Sequence, residues 1–90
     1  MDYQIVFEKK ALDDIKKITR SGKKSDVKKL DQILEELKTH PTSGVGSPEQ
    51  LKYQLSGFWS RRINKKDRLI YQIIEEPDKL VVVISALGHY

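Results

Sequence analysis

The sequence predicts an α+β fold in the order β-α-α-β-β-β-β, a small, twisted and mainly antiparallel sheet with an N-terminal helical hairpin packed against it. Three observations carry this reading. Apolar residues recur at helical spacing through the first half of the chain and at strand spacing through the second. The stretch "PTSGVGSP", Pro41 to Pro48, separates the halves with glycines and prolines that forbid regular structure. The connections in the second half are short, which makes its strands antiparallel neighbours.

Taken in order, Tyr3 to Phe7 form a short apolar run suited to a strand, and Glu8 and Lys9 open a helical pattern. Ala11, Leu12, Ile15 and Ile18 fall on one face of a 3.6-residue repeat, with Asp13, Asp14, Lys16 and Lys17 opposite, and the helix closes near Ser21-Gly22. A second helix runs from Ser25, a candidate N-cap, through Val27, Leu30, Ile33, Leu34 and Leu37. It stops at His40, because Pro41 disfavours helical geometry in the residue before it. Beyond the loop, "LKYQL", "FWSRRI", "RLIYQII" and "KLVVVISAL" are strands, divided by Ser56-Gly57, by Asn64 to Asp67 and by Glu75 to Asp78. The unbroken "LVVVI" marks a central strand covered on at least one face by the helices.

Ninety residues suffice for a single domain, spanning 1–90, with one modest core. Seventeen Lys and Arg against thirteen Asp and Glu give a net charge of +4, spread along the chain. That balance suits an anionic partner such as nucleic acid, or serves only to keep the protein soluble. The absence of cysteine excludes disulfides, thiolate chemistry and Cys-based zinc sites, and with only two histidines no metal site is expected. The N-terminus lacks the apolar stretch of a signal peptide and no segment reaches the length of a membrane span, so a cytoplasmic protein without membrane association is expected.

Several residues could carry chemistry. Arg61 and Arg62 are neighbours on one strand and so point to opposite faces. The turn after them leaves the register open. A two-residue loop at Lys65-Lys66 puts Arg61 on the face of Arg68, whereas a three-residue loop from Asn64 to Lys66 puts Arg62 opposite Arg68. Two guanidinium groups held together repel unless an anion lies between them. Singly, Glu49 reads as a surface carboxylate, His40 as a cation at a helix C-terminus and His89 as part of an ordinary terminus. Together, a carboxylate, arginines and a histidine are the groups that metal-free RNA cleavage needs: a base for the 2′-hydroxyl, cations for the phosphorane and an acid for the leaving 5′-oxygen.

The stretch "SPEQLKYQLSGFWSRRINKKDRLIYQI" and the final "GHY" resemble the YoeB/Txe group of bacterial toxins within the RelE/ParE superfamily. The resemblance is dense in the second half of the chain, while the first half agrees in its strand-helix-helix layout. It implies the toxin component of a type II toxin-antitoxin system, a ribosome-dependent endoribonuclease that cuts mRNA in the A site and arrests translation. It implies no cofactor, a YefM/Axe-like antitoxin whose C-terminal segment covers or distorts the site, and a capacity to form homodimers. Carried over by motif, Glu49 of "PEQL" matches the general base, Arg68 of "RLIY" the arginine that stabilises the transition state, and His89 the general acid. Arg62 and Lys52 match phosphate-binding residues, and Tyr90 matches a tyrosine that orients the substrate. This chain departs from the pattern at Asp67, where the family often has histidine, at Lys65 and Lys66, where it has acids, and at Leu87, where a basic residue is common. A C-terminal carboxylate beside His89 would favour the protonated imidazole. The alternative functions are a ParE-like toxin that inhibits gyrase by binding, and a non-catalytic nucleic-acid-binding or regulatory relative.

Overall fold

The computed structural model describes residues 2–52 and 56–87. The elements are β1 (Gln4–Phe7), α1 (Lys9–Ser21), α2 (Lys24–Leu37), β2 (Glu49–Gln50), β3 (Phe58–Arg62), β4 (Arg68–Ile74) and β5 (Leu80–Ser85). The strands form one sheet in the order β1-β5-β4-β3-β2, antiparallel throughout except for the parallel β1–β5 pair. This is the expected element order, with "LVVVI" between two neighbours.

α1 ends as the sequence suggests, with Gly22 in the left-handed conformation and its N–H on the carbonyl of Thr19. α2 differs at both ends. Lys23 stands at the N-cap with no side-chain capping bond, and Ser25 lies inside the first turn. The helix finishes at Leu37, after which Lys38, Thr39 and His40 still donate N–H bonds to Glu35 and Glu36 while the chain unwinds toward Pro41. β2 also differs, comprising Glu49–Gln50 and not the "LKYQL" segment; Leu51 adds one N–H bond to the Phe58 carbonyl, and Tyr53 to Leu55 lie outside the described residues.

The core lies between the helices and one face of the sheet. Ala11 and Ile18 of α1 and Leu30, Ile33 and Leu37 of α2 pack with Leu69, Tyr71, Val81 and Val83. Two residues of α1 reverse their expected roles: Leu12 is 45% exposed, while Asp14 is only 4% exposed. Helical geometry explains the exchange, since the stripe facing the sheet runs through positions 11, 14, 15 and 18. Asp14 sits in that stripe and Leu12 flanks it.

Candidate functional site

Strand alternation divides the two adjacent arginines. The β3–β4 register pairs Arg62 with Arg68 and Arg61 with Leu69, and Ile63 and Asn64 both donate N–H bonds to the Asp67 carbonyl, so the loop is the three-residue one, Asn64 to Lys66. Arg62 and Arg68 therefore share the face turned away from the helices. Arg61 points into the helix side and is fully buried.

A buried guanidinium must be paired and hydrogen-bonded. Arg61 donates from Nη1 to Glu36 Oε1 at 2.7 Å and to the Val45 carbonyl at 3.4 Å, and from Nη2 to the carbonyls of His40 and Ser43, each at 2.7 Å. Its Nε donates to the Tyr71 hydroxyl, which itself donates to the Pro41 carbonyl at 2.6 Å. Glu36 also accepts the Val45 N–H at 3.0 Å. Burial pushes the Glu36 carboxyl up, but the Val45 N–H and Arg61 outweigh it and hold the group below its ordinary value. Burial pushes the Tyr71 phenol up, against the opposing pull of Arg61.

This network fastens the 41–48 loop to β3. A side chain at Gly44, whose φ is +125°, would collide with Glu36 Oε1, and one at Gly46, whose φ is +82°, would come within 2.8 Å of the Arg62 carbonyl. The Gly46 carbonyl accepts the Arg62 N–H at 2.6 Å, so the loop lies against β3 up to the arginine itself. Just past the loop, Glu49 pairs with Ser60 and Gln50 with Trp59. Glu49, Ser60, Arg62 and Arg68 thus share one face of the sheet. The sequence placed Glu49 ahead of a strand; here it is in one.

Ser60 carries no signal in the sequence. It is fully buried between Glu49 and Ile70 in register, and its Oγ has no hydrogen-bond partner among the described residues. Lys52 is exposed just beyond β2. His89 and Tyr90 lie outside the described residues. Toward them, β5 carries one extra residue between the Tyr71–Val83 and Ile70–Ser85 pairs, and the Asp14 carboxylate then accepts the N–H groups of Ala86 and Leu87. His40, a candidate cation, is exposed past the end of α2 with Nδ1 2.8 Å from Thr39 Oγ1.

At the tip of the β3–β4 hairpin opens a groove of about 810 Å³, lined by Lys17, Lys23, Lys65 and Lys66 with Ser21 and Asn64. Asp26 and Asp67 also line it, and both accept bonds from Asn64 Nδ2. None of the four lysines is ion-paired among the described residues. Among those residues, too, no group of three acidic or histidine side chains could hold a metal ion, and no helix is long and apolar enough to cross a membrane.

Residues 7–90 match the model of the YoeB-like toxin of bacterial type II toxin-antitoxin systems. The chain belongs to this family. Toxin YoeB of Escherichia coli O6:H1 is 39% identical over 64 residues, covering 71% of this chain and 73% of the relative. Toxin YoeB of Synechocystis is 41% identical over 64 residues, covering 71% of each. Among solved structures, a YoeB/ParE toxin from Agrobacterium tumefaciens superimposes with a TM-score of 0.86 at 30% identity, over 97% of this chain and 99% of the other. The YoeB dimer from Staphylococcus aureus gives 0.81 at 34% identity over 98% of each chain. The heterotetrameric YoeB-YefM toxin-antitoxin complex from the same organism gives 0.78 at 32%, again over 98% of each. The YoeB-like chain is thus a toxin of a type II toxin-antitoxin system.

Proposed function

We propose that this toxin is a ribosome-dependent endoribonuclease that cleaves mRNA in the A site without a metal ion or cofactor. The observation that carries the reading is the Arg62–Arg68 pair on the same sheet face as Glu49. Two cations held opposite one another favour a phosphate between them, and a carboxylate on the same face supplies a base.

Glu49 takes the proton of the 2′-hydroxyl, and the oxygen attacks the adjacent phosphorus. Arg68 and Arg62 bear the extra negative charge of the phosphorane. The bond to the 5′-oxygen then breaks, His89 protonates that oxygen, and a cyclic phosphate and a free 5′-hydroxyl remain. Lys52 and Tyr90 bind and orient the strand. The nucleophile belongs to RNA, so DNA is inert. The lysines of the hairpin groove supply phosphate contacts to ribosomal RNA. The partner that silences the toxin is a YefM-like antitoxin, as in the S. aureus complex, and the S. aureus dimer supports homodimer formation.

The test is cleavage of mRNA on programmed ribosomes by the parent chain and by Glu49→Gln. The parent should cut within the A-site codon, and the variant should lose cleavage while still binding ribosomes and antitoxin. A parent chain that binds ribosomes and leaves the message whole would refute the reading.

A further inference from the structure

Glu49, Ser60 and Ile70 form a row across β2, β3 and β4, so their side chains stand on one face, with Arg62 and Arg68 facing each other in the next row. Ser60 is 0% exposed and Ile70 2%, so solvent does not reach the serine hydroxyl, and among the described residues its Oγ has no hydrogen-bond partner. A buried hydroxyl in this state is costly, and the fold gains nothing from it that a methyl group would not supply. An unpaired buried polar atom beside a candidate site calls for an explanation in the chemistry.

The neighbours identify the group that the hydroxyl serves. Ile70 presents only hydrocarbon, and Arg62 on the same strand and Arg68 on the diagonal carry donors alone, so none of the three can take the hydroxyl proton. Gln72 has an acceptor oxygen but stands on the other diagonal, about 7–8 Å away between strand positions. Glu49 is directly opposite, where Cβ atoms lie about 5 Å apart, and its exposed side chain is long enough to cross that gap. A rotation of Glu49 brings one carboxylate oxygen onto a donor that is otherwise unused.

We infer that Ser60 is a positioning residue for the general base, its hydroxyl donating to one oxygen of Glu49 in the RNA complex while the other oxygen faces the 2′-hydroxyl. This rests on the ribonuclease reading above. Hydrogen bonds of a catalytic site are often open without substrate and close in its complex. RNA lying over the row takes water away from the carboxylate, and Ser60 replaces it as donor. In the step itself the free oxygen of Glu49 gains the 2′-hydroxyl proton, the 2′-oxygen bonds to phosphorus, and Ser60 keeps its own proton. The serine does not touch RNA; it fixes the direction of the group that does.

The experiment measures single-turnover cleavage on programmed ribosomes, and thermal melting, for the parent, Ser60→Ala, Ser60→Thr, Ser60→Val, Glu49→Gln and the Ser60→Ala/Glu49→Gln double variant. Ser60→Ala should melt at the parental temperature or above it, since it removes an unpaired buried hydroxyl. Its maximal rate should nevertheless fall by about tenfold, with the ribosome concentration at half-maximum changed less than about twofold. Ser60→Thr keeps the donor and Ser60→Val has the same shape without it, so the threonine variant should cleave faster by a similar factor whatever the added methyl costs both. In the Glu49→Gln background Ser60→Ala should cost no further rate. A lower melting temperature for Ser60→Ala, equal rates for the threonine and valine variants, or additive losses would mean that the hydroxyl serves only the fold. Parental cleavage by Ser60→Ala beside an inactive Glu49→Gln would overturn the inference alone, whereas a fully active Glu49→Gln would remove the base and the reading on which the inference rests.

Discussion

Arg62 and Arg68 stand directly opposite one another on β3 and β4, and neither is ion-paired to a carboxylate among the described residues. Like charges at facing strand positions destabilise a sheet by roughly 0.2–1 kcal/mol. Arg62→Gln should therefore leave the melting temperature unchanged or slightly higher, while cleavage on ribosomes falls at least tenfold. Parallel melting curves and cleavage time courses check this; a variant that loses activity only as it loses stability would speak against a site role.

The Arg61–Glu36 pair has the opposite signature. Glu36→Ala leaves a fully buried guanidinium with backbone carbonyls and a phenol but no counter-charge, and should cost about 3 kcal/mol. Urea denaturation should show the midpoint lowered with the slope retained. A shift under about 1 kcal/mol would mean that water reaches Arg61 once the carboxylate is gone.

Acid should loosen the turn that follows β5 through Asp14. Burial pushes this carboxyl up, but the bonds from Lys10, Ala86 and Leu87 prevail and hold it below its ordinary value. The unfolded chain thus takes up the proton first as pH falls, so the stability linked to Asp14 is complete above about pH 4 and is lost as pH drops through the lower folded value. The difference in melting temperature between the parent and Asp14→Asn should be flat from pH 7 to 5 and shrink below pH 4. A gap that stays constant down to pH 2 would contradict the assignment.

On the ribonuclease reading, free RNA should be a poor substrate, since the single proposed base and single proposed acid leave much of the positioning to the ribosome. Charge reversal at Lys65 and Lys66 should weaken ribosome binding and flatten its dependence on salt by about two units of log-log slope at most. Binding isotherms between 50 and 300 mM salt test this, and an unchanged slope would place the ribosome elsewhere on the surface.

The element order and most of the apolar helix positions were legible in the sequence, because periodicity determines them; the loop lengths left Arg62 opposite Arg68 as one of two registers, and nothing in the sequence set β1 parallel beside β5. The roles of Asp14, Glu36 and Arg61 were not legible. Each is a charged residue with a partner far along the chain, 25 positions away for the Arg61–Glu36 pair and 73 for Asp14 and Leu87, and a solvated face is the ordinary expectation for such residues. Spacing did hold one clue: Asp14 lies three residues after Ala11 and four before Ile18, inside the stripe that packs on the sheet. Ser60 offered no clue, since strand alternation gives its face but not its burial.

The helical hairpin connects to both limbs of the proposed chemistry. α2 lends Glu36 to the loop that leads to Glu49, and α1 lends Asp14 to the segment that leads to His89. On the ribonuclease reading, a small molecule wedged between α1 and β5 would therefore disarm the toxin from behind, without competing for the face that carries Arg62 and Arg68. Its pharmacology would be noncompetitive, with the maximal rate falling at every ribosome concentration and the half-saturation point unmoved. Resistance to such a compound would arise in the helices, far in sequence from the residues it disables.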